Sequence, residues 1–238
     1  MKIALIGYGK MGQAIEEVAV RRGHEIVLKV SIENLEDNTV EKIGMADVAI
    51  EFTGPESAFD NIVRCMQAGV GVVCGSTGWL NKFEEVKQLC QKEGKTFLYA
   101  SNFSVGVNIF FEVNKRLAQL MASHPDYSVS LAEIHHTQKK DAPSGTAITL
   151  AQQILEKIHR KKGWVNHISD NLDELEIISE RIDPAPGTHK ILYSSAIDDI
   201  EIIHTAHNRQ GFATGAVLAA EFIHGKKGIF SMQDVLGF

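Results

Sequence analysis

Two imidazoles, two ammonium groups and a helix entry fall within residues 133–147, EIHHTQKKDAPSGTA, which is the chemistry of a proton donor beside an anion site. Histidine exchanges protons near neutral pH, lysine carries a compact positive charge, and the first amides of a helix receive carboxylate or phosphate oxygens. Residues 141–145, DAPSG, read as a turn, and residues 146–159 resume a helical pattern with Ser144 as N-cap. That entry offers backbone amides and the Thr146 hydroxyl to an anionic substrate, and Gly145 gives a carboxylate close access. The segment argues for an enzyme.

Each of these residues also has a plainer use. His135 and His136 as a metal pair would have to converge, yet consecutive side chains on extended backbone diverge. No HExxH or paired CxxC supports zinc or iron, so no metal is expected. His136 also reads as a hydrogen-bonded structural imidazole, and Lys139 with Lys140 as a solvated charge pair. Their place immediately before the helix entry favours anion binding by at least one lysine.

Residues 127–134 alternate and branch as a strand that delivers His135 to its end. Beyond Trp164 the chain turns more antiparallel in character, with candidate strands at 175–181, 190–195 and 200–206 forming a floor for the substrate. DPAPG at 183–187 is a turn. HNRQGF at 207–212 closes this region, and residues 213–224 form a helix expected to pack back on the first part of the chain.

That first part reads as a cofactor domain. Residues 2–6 form a strand, Gly7-Tyr8-Gly9-Lys10-Met11-Gly12 follows, and an amphipathic stretch runs to about Arg22. In this order Gly7 permits the tight turn, Gly9 lets the chain approach a pyrophosphate, and Gly12 permits close helix-to-strand contact. Further strands at 25–30, 47–52, 70–74 and 96–100, with helices at 56–67 and 82–92 between the later ones, describe a parallel sheet with crossover helices. Residues 30–47 carry no convincing long helix. At the end of the second strand Lys29 and Ser31 suit a 2′-phosphate, whereas Glu33 suits an unphosphorylated ribose, so use of both NADH and NADPH is expected.

The 238 residues suffice for one large domain or two modest ones, and 44% hydrophobic content fits a globular chain. A net charge of −6 gives nucleic acid no general attraction, and no eighteen-residue apolar run suggests a membrane span. MKIALIG begins like a buried strand rather than a secretory leader, so a cytoplasmic location is expected. Cys65, Cys74 and Cys90 make no CxxC pair and read as reduced.

Taken together, GYGKMG at 7–12, EFTGPE at 51–56, GSTG at 75–78, SNFSVGVN at 101–108, EIHHTQKKDAPSGTA at 133–147 and HNRQGFATGA at 207–216 closely resemble the 4-hydroxy-tetrahydrodipicolinate reductase (dihydrodipicolinate reductase) family, over essentially the whole chain. The resemblance implies an α/β plus α+β fold. A Rossmann-like dinucleotide-binding domain would span residues 1–103 and 213–238, with an inserted mixed-sheet domain for substrate binding and oligomerisation at 104–212. It also implies a homotetramer and reduction of a cyclic dicarboxylate by NADH or NADPH, with release of water, in diaminopimelate and lysine biosynthesis. By that likeness His135 falls on the proton-donor histidine and Lys139 on the lysine of proton donation or carboxylate binding, while His136, Gly145 and Thr146 fall on substrate contacts. Lys10 and Met11 lie within the glycine turn, Gly75 and Thr77 match a loop near the nicotinamide, and Ser101, Asn102 and Phe103 match the segment beneath the cleft. Arg209 matches an arginine of the substrate region, as a substrate-side or closure contact.

The chain departs from the family where basic residues are frequent and it carries Thr137 and Gln138, leaving Lys140 as another source of positive field. It is also short around the second strand. Lys29→Ala is expected to lower selectivity for NADPH over NADH. An unchanged ratio of kcat/KM for the two coenzymes would count against a phosphate role for Lys29.

Overall fold

The computed structural model describes residues 1–208 and 210–238, so Arg209 lies outside the described residues. The chain divides into two units, one formed by Met1–Val105 with Gln210–Phe238 and the other by the segment between them.

The first unit opens with β1 (Lys2–Ile6), whose Ile3 and Leu5 enter one apolar layer while Ala4 and Ile6 enter another. A strand buried on both faces has no polar side to present, which is why KIALI is almost uninterruptedly apolar. α1 (Lys10–Arg21) covers the Ile3 and Leu5 face through Ile15, Val18 and Ala19. β2 (Glu25–Val30) pairs with β1 in parallel. The next connection holds only a 3-10 turn at Leu35–Asp37 and the single turn of α2 (Val40–Ile43), in keeping with its lack of helical periodicity.

β3 (Val48–Glu51), α3 (Ala58–Gln67), β4 (Gly71–Cys74), α4 (Phe83–Glu93) and β5 (Thr96–Tyr99) continue the alternation. α3 and α4 cover the Ala4 and Ile6 face with Ile62, Met66 and Val86. Cys65, Cys74 and Cys90 are free and buried, and the Cys74 thiol donates to Glu51 Oε2 at 3.0 Å. Burial, then the Glu51 charge, pushes that thiol up, so it behaves as packing rather than as a nucleophile.

The second unit contains α5 (Val105–Met121), β6 (Ser128–His135), α6 (Gly145–Leu155), β7 (Gly163–Val165), β8 (Glu174–Arg181), β9 (Gly187–Ser194) and β10 (Asp199–Ala206). These strands form a five-stranded sheet in the order β10-β9-β6-β8-β7. β9 is antiparallel to both β6 and β10, but β8 runs parallel to β6, and β7 parallel to β8. The antiparallel reading of this region is therefore corrected at residues 174–181: α6 separates β6 from β8, and a crossover of that kind joins parallel strands. One sheet face is covered by α5 and α6, with Val129, Leu131, Ile177 and Ile191 against Phe110, Leu150 and Ile154. The buried Asn114 amide ties the two helices, donating to Leu150 O at 3.1 Å and Gln153 Oε1 at 2.9 Å.

The chain then returns to the first unit as α7 (Gln210–Ile223), β11 (Gly228–Phe230) and α8 (Met232–Leu236). α7 joins α1 over the Ile3 and Leu5 layer through Ala213, Ala216, Val217 and Ala220. Its Glu221 reaches Arg22 and His24, each at 2.7 Å. β11 pairs in parallel with β5, completing a six-stranded sheet in the order β11-β5-β4-β3-β1-β2. The architecture is thus a parallel Rossmann-like sheet with a mixed-sheet insertion. No described helix is long and apolar enough to cross a membrane.

Small residues on α7 permit its close approach. A Cβ built on Gly215 would stand 1.7 Å from the Phe103 carbonyl oxygen, so even one methyl group must displace backbone. Gly215→Ala is expected to cost about 2 kcal/mol or more, the scale of overpacking a core, against about 1 kcal/mol gained from helix propensity. Thermal unfolding measures this, and an unchanged midpoint would show that the contact relaxes freely.

Candidate functional site

In the first unit, a cavity of about 760 Å³ opens at the carboxyl ends of β1, β2 and β3, lined in part by Gly7, Tyr8, Gly9, Ser31, Thr53 and Arg64. β1 lies between β2 and β3 there, at the point where the strand order reverses, the usual ligand crevice of such sheets. Gly7 has φ +99°, and a Cβ on it would meet Phe52 O at 2.1 Å; one on Gly12 would meet Gly7 O at 2.5 Å. A Cβ on Gly9 would meet nothing within 4 Å, so Gly9 faces open space. α1 starts at Lys10 and Met11 with no acidic residue in its first turn, leaving its positive end clear for a pyrophosphate. Tight turn, open face and helix start together fit a dinucleotide.

Lys29 is engaged locally. Its ammonium pairs with Glu16 at 2.5 Å and stands 4.9 Å from the Tyr8 ring centroid, and Tyr8 donates to the same Glu16. The hydrogen bond to Glu16 raises the lysine, while bonds from Lys29 and then Tyr8 lower Glu16. Arg64, on α3, is the cation that lines the cavity. At the end of β4, Gly75 lacks a Cβ where one would stand 2.2 Å from the Phe52 ring, and that ring packs on Phe103 with centroids 5.5 Å apart. Thr77 and Ser101 are exposed.

In the second unit, strand alternation builds the other half of the chemistry. Along β6, Val129, Leu131, Glu133 and His135 share the covered face, and along β9 so do Gly187, His189, Ile191 and Tyr193. The pairing register sets Leu131 opposite Ile191, then Glu133 opposite His189. On the other side β8 places Ser179 beside Glu133 and Arg181 beside His135. The apolar core therefore ends in a polar cluster. His136, the residue after β6, is half-buried.

Glu133 is completely buried. Its Oε1 accepts from the Ser144 backbone N–H at 3.0 Å, the Ser179 hydroxyl at 2.8 Å and Arg181 Nη2 at 3.2 Å. Its Oε2 faces His135 Nδ1 at 3.3 Å and His189 Nε2 at 3.7 Å, ion-pair contacts without the alignment of hydrogen bonds. Burial alone would raise this carboxyl, but His135, Ser144 and Ser179 together hold it well below the usual carboxylate range. His189 is lowered too, from 6.5 to about 4, by burial and then by His135. The cluster is therefore a carboxylate with a neutral His189.

The helix entry is as the sequence implied. Ser144 caps α6, accepting from the Ala147 N–H at 3.2 Å, and its hydroxyl lies 3.2 Å from His189 Nε2. A Cβ on Gly145 would meet nothing within 4 Å, so this turn is open. Thr146 is half-buried in the first turn. Lys139 is pinned by both Asp141 carboxylate oxygens at 2.8 Å. Thr137 hydrogen-bonds Asp183 through both its N–H and its hydroxyl.

Glu133, His189, Arg181 and Gly187 received no role from sequence reasoning. Alternation was the available signal for the first, two residues before His135 on the same strand face. The others come from β8 and β9 and depend on register. A Cβ on Gly187 would lie 3.1 Å from His135 Nε2, so a residue read as part of a turn in fact clears space for the imidazole. Glu133, His135 and His189 also bring ligand-type atoms within 4.8 Å of one another, but Arg181 already supplies positive charge to this carboxylate.

Two family models, described as the amino and carboxyl termini of dihydrodipicolinate reductase, match residues 1–103 and 106–236. A 4-hydroxy-tetrahydrodipicolinate reductase of Christiangramia forsetii is 53% identical over 238 residues, covering 99% of this chain and 98% of the relative. One from Methanosarcina barkeri is 40% identical over 210 residues, covering 87% and 78% respectively. Among solved structures, dipicolinate-bound dihydrodipicolinate reductase from Paenisporosarcina sp. TG-14 superposes with a TM-score of 0.78 at 25% identity, covering 98% of each chain.

The buried imidazoles impose a pH dependence on folding. His189 titrates near 6.5 when unfolded and near 4 when folded, so between those values the unfolded chain binds more protons and stability falls as pH drops. The contribution approaches about 3 kcal/mol at its limit. Burial lowers His204 in the same sense, whereas Glu133 contributes stability that is lost only as pH falls below the ordinary carboxylate value. Denaturant unfolding of the wild type is expected to show decreasing stability from pH 6.5 to 4.5 with a shallower slope in His189→Gln. Equal slopes in the two proteins would contradict burial of a neutral His189.

Proposed function

The chain belongs to the dihydrodipicolinate reductase family of NAD(P)H-dependent reductases in diaminopimelate and lysine biosynthesis, and from that premise we propose how its residues divide the work. The reaction reduces 4-hydroxy-tetrahydrodipicolinate to tetrahydrodipicolinate with release of water. Residues 1–103 and 213–238 bind the dinucleotide, and residues 104–212 bind the substrate and assemble the oligomer. Gly7, Gly9 and Gly12 with the Lys10 and Met11 amides receive the pyrophosphate, while Gly75, Thr77, Ser101 and Phe103 border the nicotinamide. NADH or NADPH, when bound, supplies the hydride. Lys29 borders the adenosine end from its station between Glu16 and Tyr8, and neither coenzyme is excluded.

His135 supplies or relays the proton that completes reduction. Lys139 neutralises one substrate carboxylate, exchanging Asp141 for it, and His136, Gly145 and Thr146 hold the dicarboxylate at the start of α6. The observation that carries this reading is that one buried carboxylate, Glu133, contacts both the His135 ring and the first turn leading into α6. A proton donor and an anion-binding turn are thereby kept in one frame, as a reduction ending in protonation beside a carboxylate requires. The dipicolinate in the Paenisporosarcina relative is a planar cyclic dicarboxylate of the same class as this substrate. Assembly as a homotetramer is supported by the uncovered sheet face, where Ile134, Ile178 and Leu192 are half-exposed and Ile203 is exposed. A cytoplasmic setting suits the free cysteines and the soluble coenzyme.

The test is oxidation of NADH and of NADPH by the folded protein with the condensation product of pyruvate and aspartate semialdehyde, followed by loss of reduced-nicotinamide absorbance. Turnover is expected with both coenzymes. His135→Ala should lower kcat by about 10²-fold, and Lys139→Ala should raise KM for the dicarboxylate as well as lower kcat. Absence of coenzyme oxidation would defeat the proposed activity. Unchanged constants in either variant would defeat the role given to that residue.

A further inference from the structure

We propose that Glu133 is a positioning residue of the reaction, whose two carboxylate oxygens separately orient the His135 imidazole and the substrate-binding turn at the start of α6. The inference rests on the roles given above to His135 and to the Gly145–Thr146 turn, and it assigns the group that keeps them in register. Oε2 lies 3.3 Å from His135 Nδ1, which favours the tautomer protonated on that nitrogen and leaves Nε2, beside Gly187, as the position that exchanges a proton with substrate. Oε1 holds the Ser144 N–H, and Ser144 in turn caps α6 through Ala147. The carboxylate itself is fixed from β8 by the Ser179 hydroxyl and Arg181 Nη2, and Arg181 Nη2 also donates to Asp141 O at 2.6 Å, in the loop that carries Lys139.

A purely structural carboxylate would be expected to use its oxygens on saturating partners. Glu133 does so with Oε1 only. Among the described residues its Oε2, fully enclosed, has no hydrogen bond, and neither has His135 Nδ1 opposite it at 3.3 Å. Two buried polar groups facing each other without another hydrogen-bond partner specify each other, because leaving either alone costs on the order of 1–3 kcal/mol. A carboxylate in contact with an imidazole affects its proton transfer, so removing the charge tests the contact. Other ionisable groups around the pair are Arg181 on β8, His189 on β9, His204 on β10, and Lys139 with Asp141 in the loop. His189 is held neutral, so it brings no positive charge to the carboxylate beside it.

Glu133→Gln preserves size and an oxygen for Ser144 while removing the charge. The expected result is a folded protein with kcat reduced at least about tenfold. Its dicarboxylate KM should change much less, and the alkaline limb of its pH–rate profile should move to lower pH. A merely structural role would leave that limb in place. In the wild-type protein, ring-nitrogen chemical shifts should show neutral His135 protonated at Nδ1, a readout that does not require a folded variant. Predominance of the Nε2-protonated tautomer would overturn the proposal. So would a folded Glu133→Gln enzyme with the wild-type pH limb while His135→Ala remains crippled, which leaves the His135 reading intact. Full activity of His135→Ala would instead overturn both.

Discussion

A carboxylate removed from water must be compensated by charge and hydrogen bonds close at hand, and the burial of Glu133 imposes that demand at the end of the second sheet. Four elements surround it: β8 through Ser179 and Arg181, the entry to α6 through the Ser144 N–H, and β6 and β9 through the His135 and His189 rings. The desolvation of one ion would be several kcal/mol if left uncompensated, enough to threaten a fold of ordinary stability. Its compensation therefore constrains strand register. A one-residue slip of β9 against β6 would turn His189 to the open face and replace it with a neighbour of opposite orientation. The parallel placement of β8 matters for the same reason, since it brings Arg181 beside His135 and lets its guanidinium bridge Glu133 and the Asp141 carbonyl.

The nucleotide unit obeys a steric constraint instead of an electrostatic one. Its parallel sheet is buried on both faces, and the turn after β1 must pass close to the end of β3. Gly7 permits that passage, because a side chain there would strike the Phe52 carbonyl, and Gly12 lets α1 approach the same turn. Gly9, between them, is the one with space around it. The three glycines of one motif thus have different causes: two accommodate protein and one leaves room for ligand. Gly75 and Gly215 extend the steric theme, meeting the Phe52 ring and the Phe103 backbone. Since those two phenylalanines pack on each other, close contacts from β4, α7 and the turn after β1 converge on one aromatic pair.

Legibility in the sequence followed the range of the interactions. Local patterns were sufficient for β1, the glycine turn, α1, the Ser144 cap and the delivery of His135 by β6, since each depends on periodicity or on residues within one turn. The irregular connection after β2 was also visible as missing periodicity. β7 and β11, three residues each, are too short to carry a pattern and are strands only because a neighbour pairs with them. The direction of β8 depends on a crossover rather than on its own residues. Arg181, Gly187 and His189 were hidden for the related reason that their partners lie far along the chain, whereas Glu133 stood in plain view and lacked only its neighbours. The family resemblance named the chemistry without showing what holds it in place.

That distinction bears on how the reaction is kept selective. An imidazole at the end of β6 and an ammonium in the loop after it would otherwise compete for the same carboxylate, and an anionic substrate would also disturb the proposed proton donor. The fold separates them by giving each its own counter-charge: Glu133 beneath His135, and Asp141 on Lys139. The first pair is buried and the second lies at the surface, so only the second can exchange partners cheaply with an incoming dicarboxylate. On the proposed roles, a dicarboxylate could therefore recruit Lys139 without disturbing the Glu133–His135 contact. The two basic groups are close in sequence, and in the roles proposed for them it is burial of the partner, rather than the identity of the base, that would make His135 the fixed group and Lys139 the adjustable one.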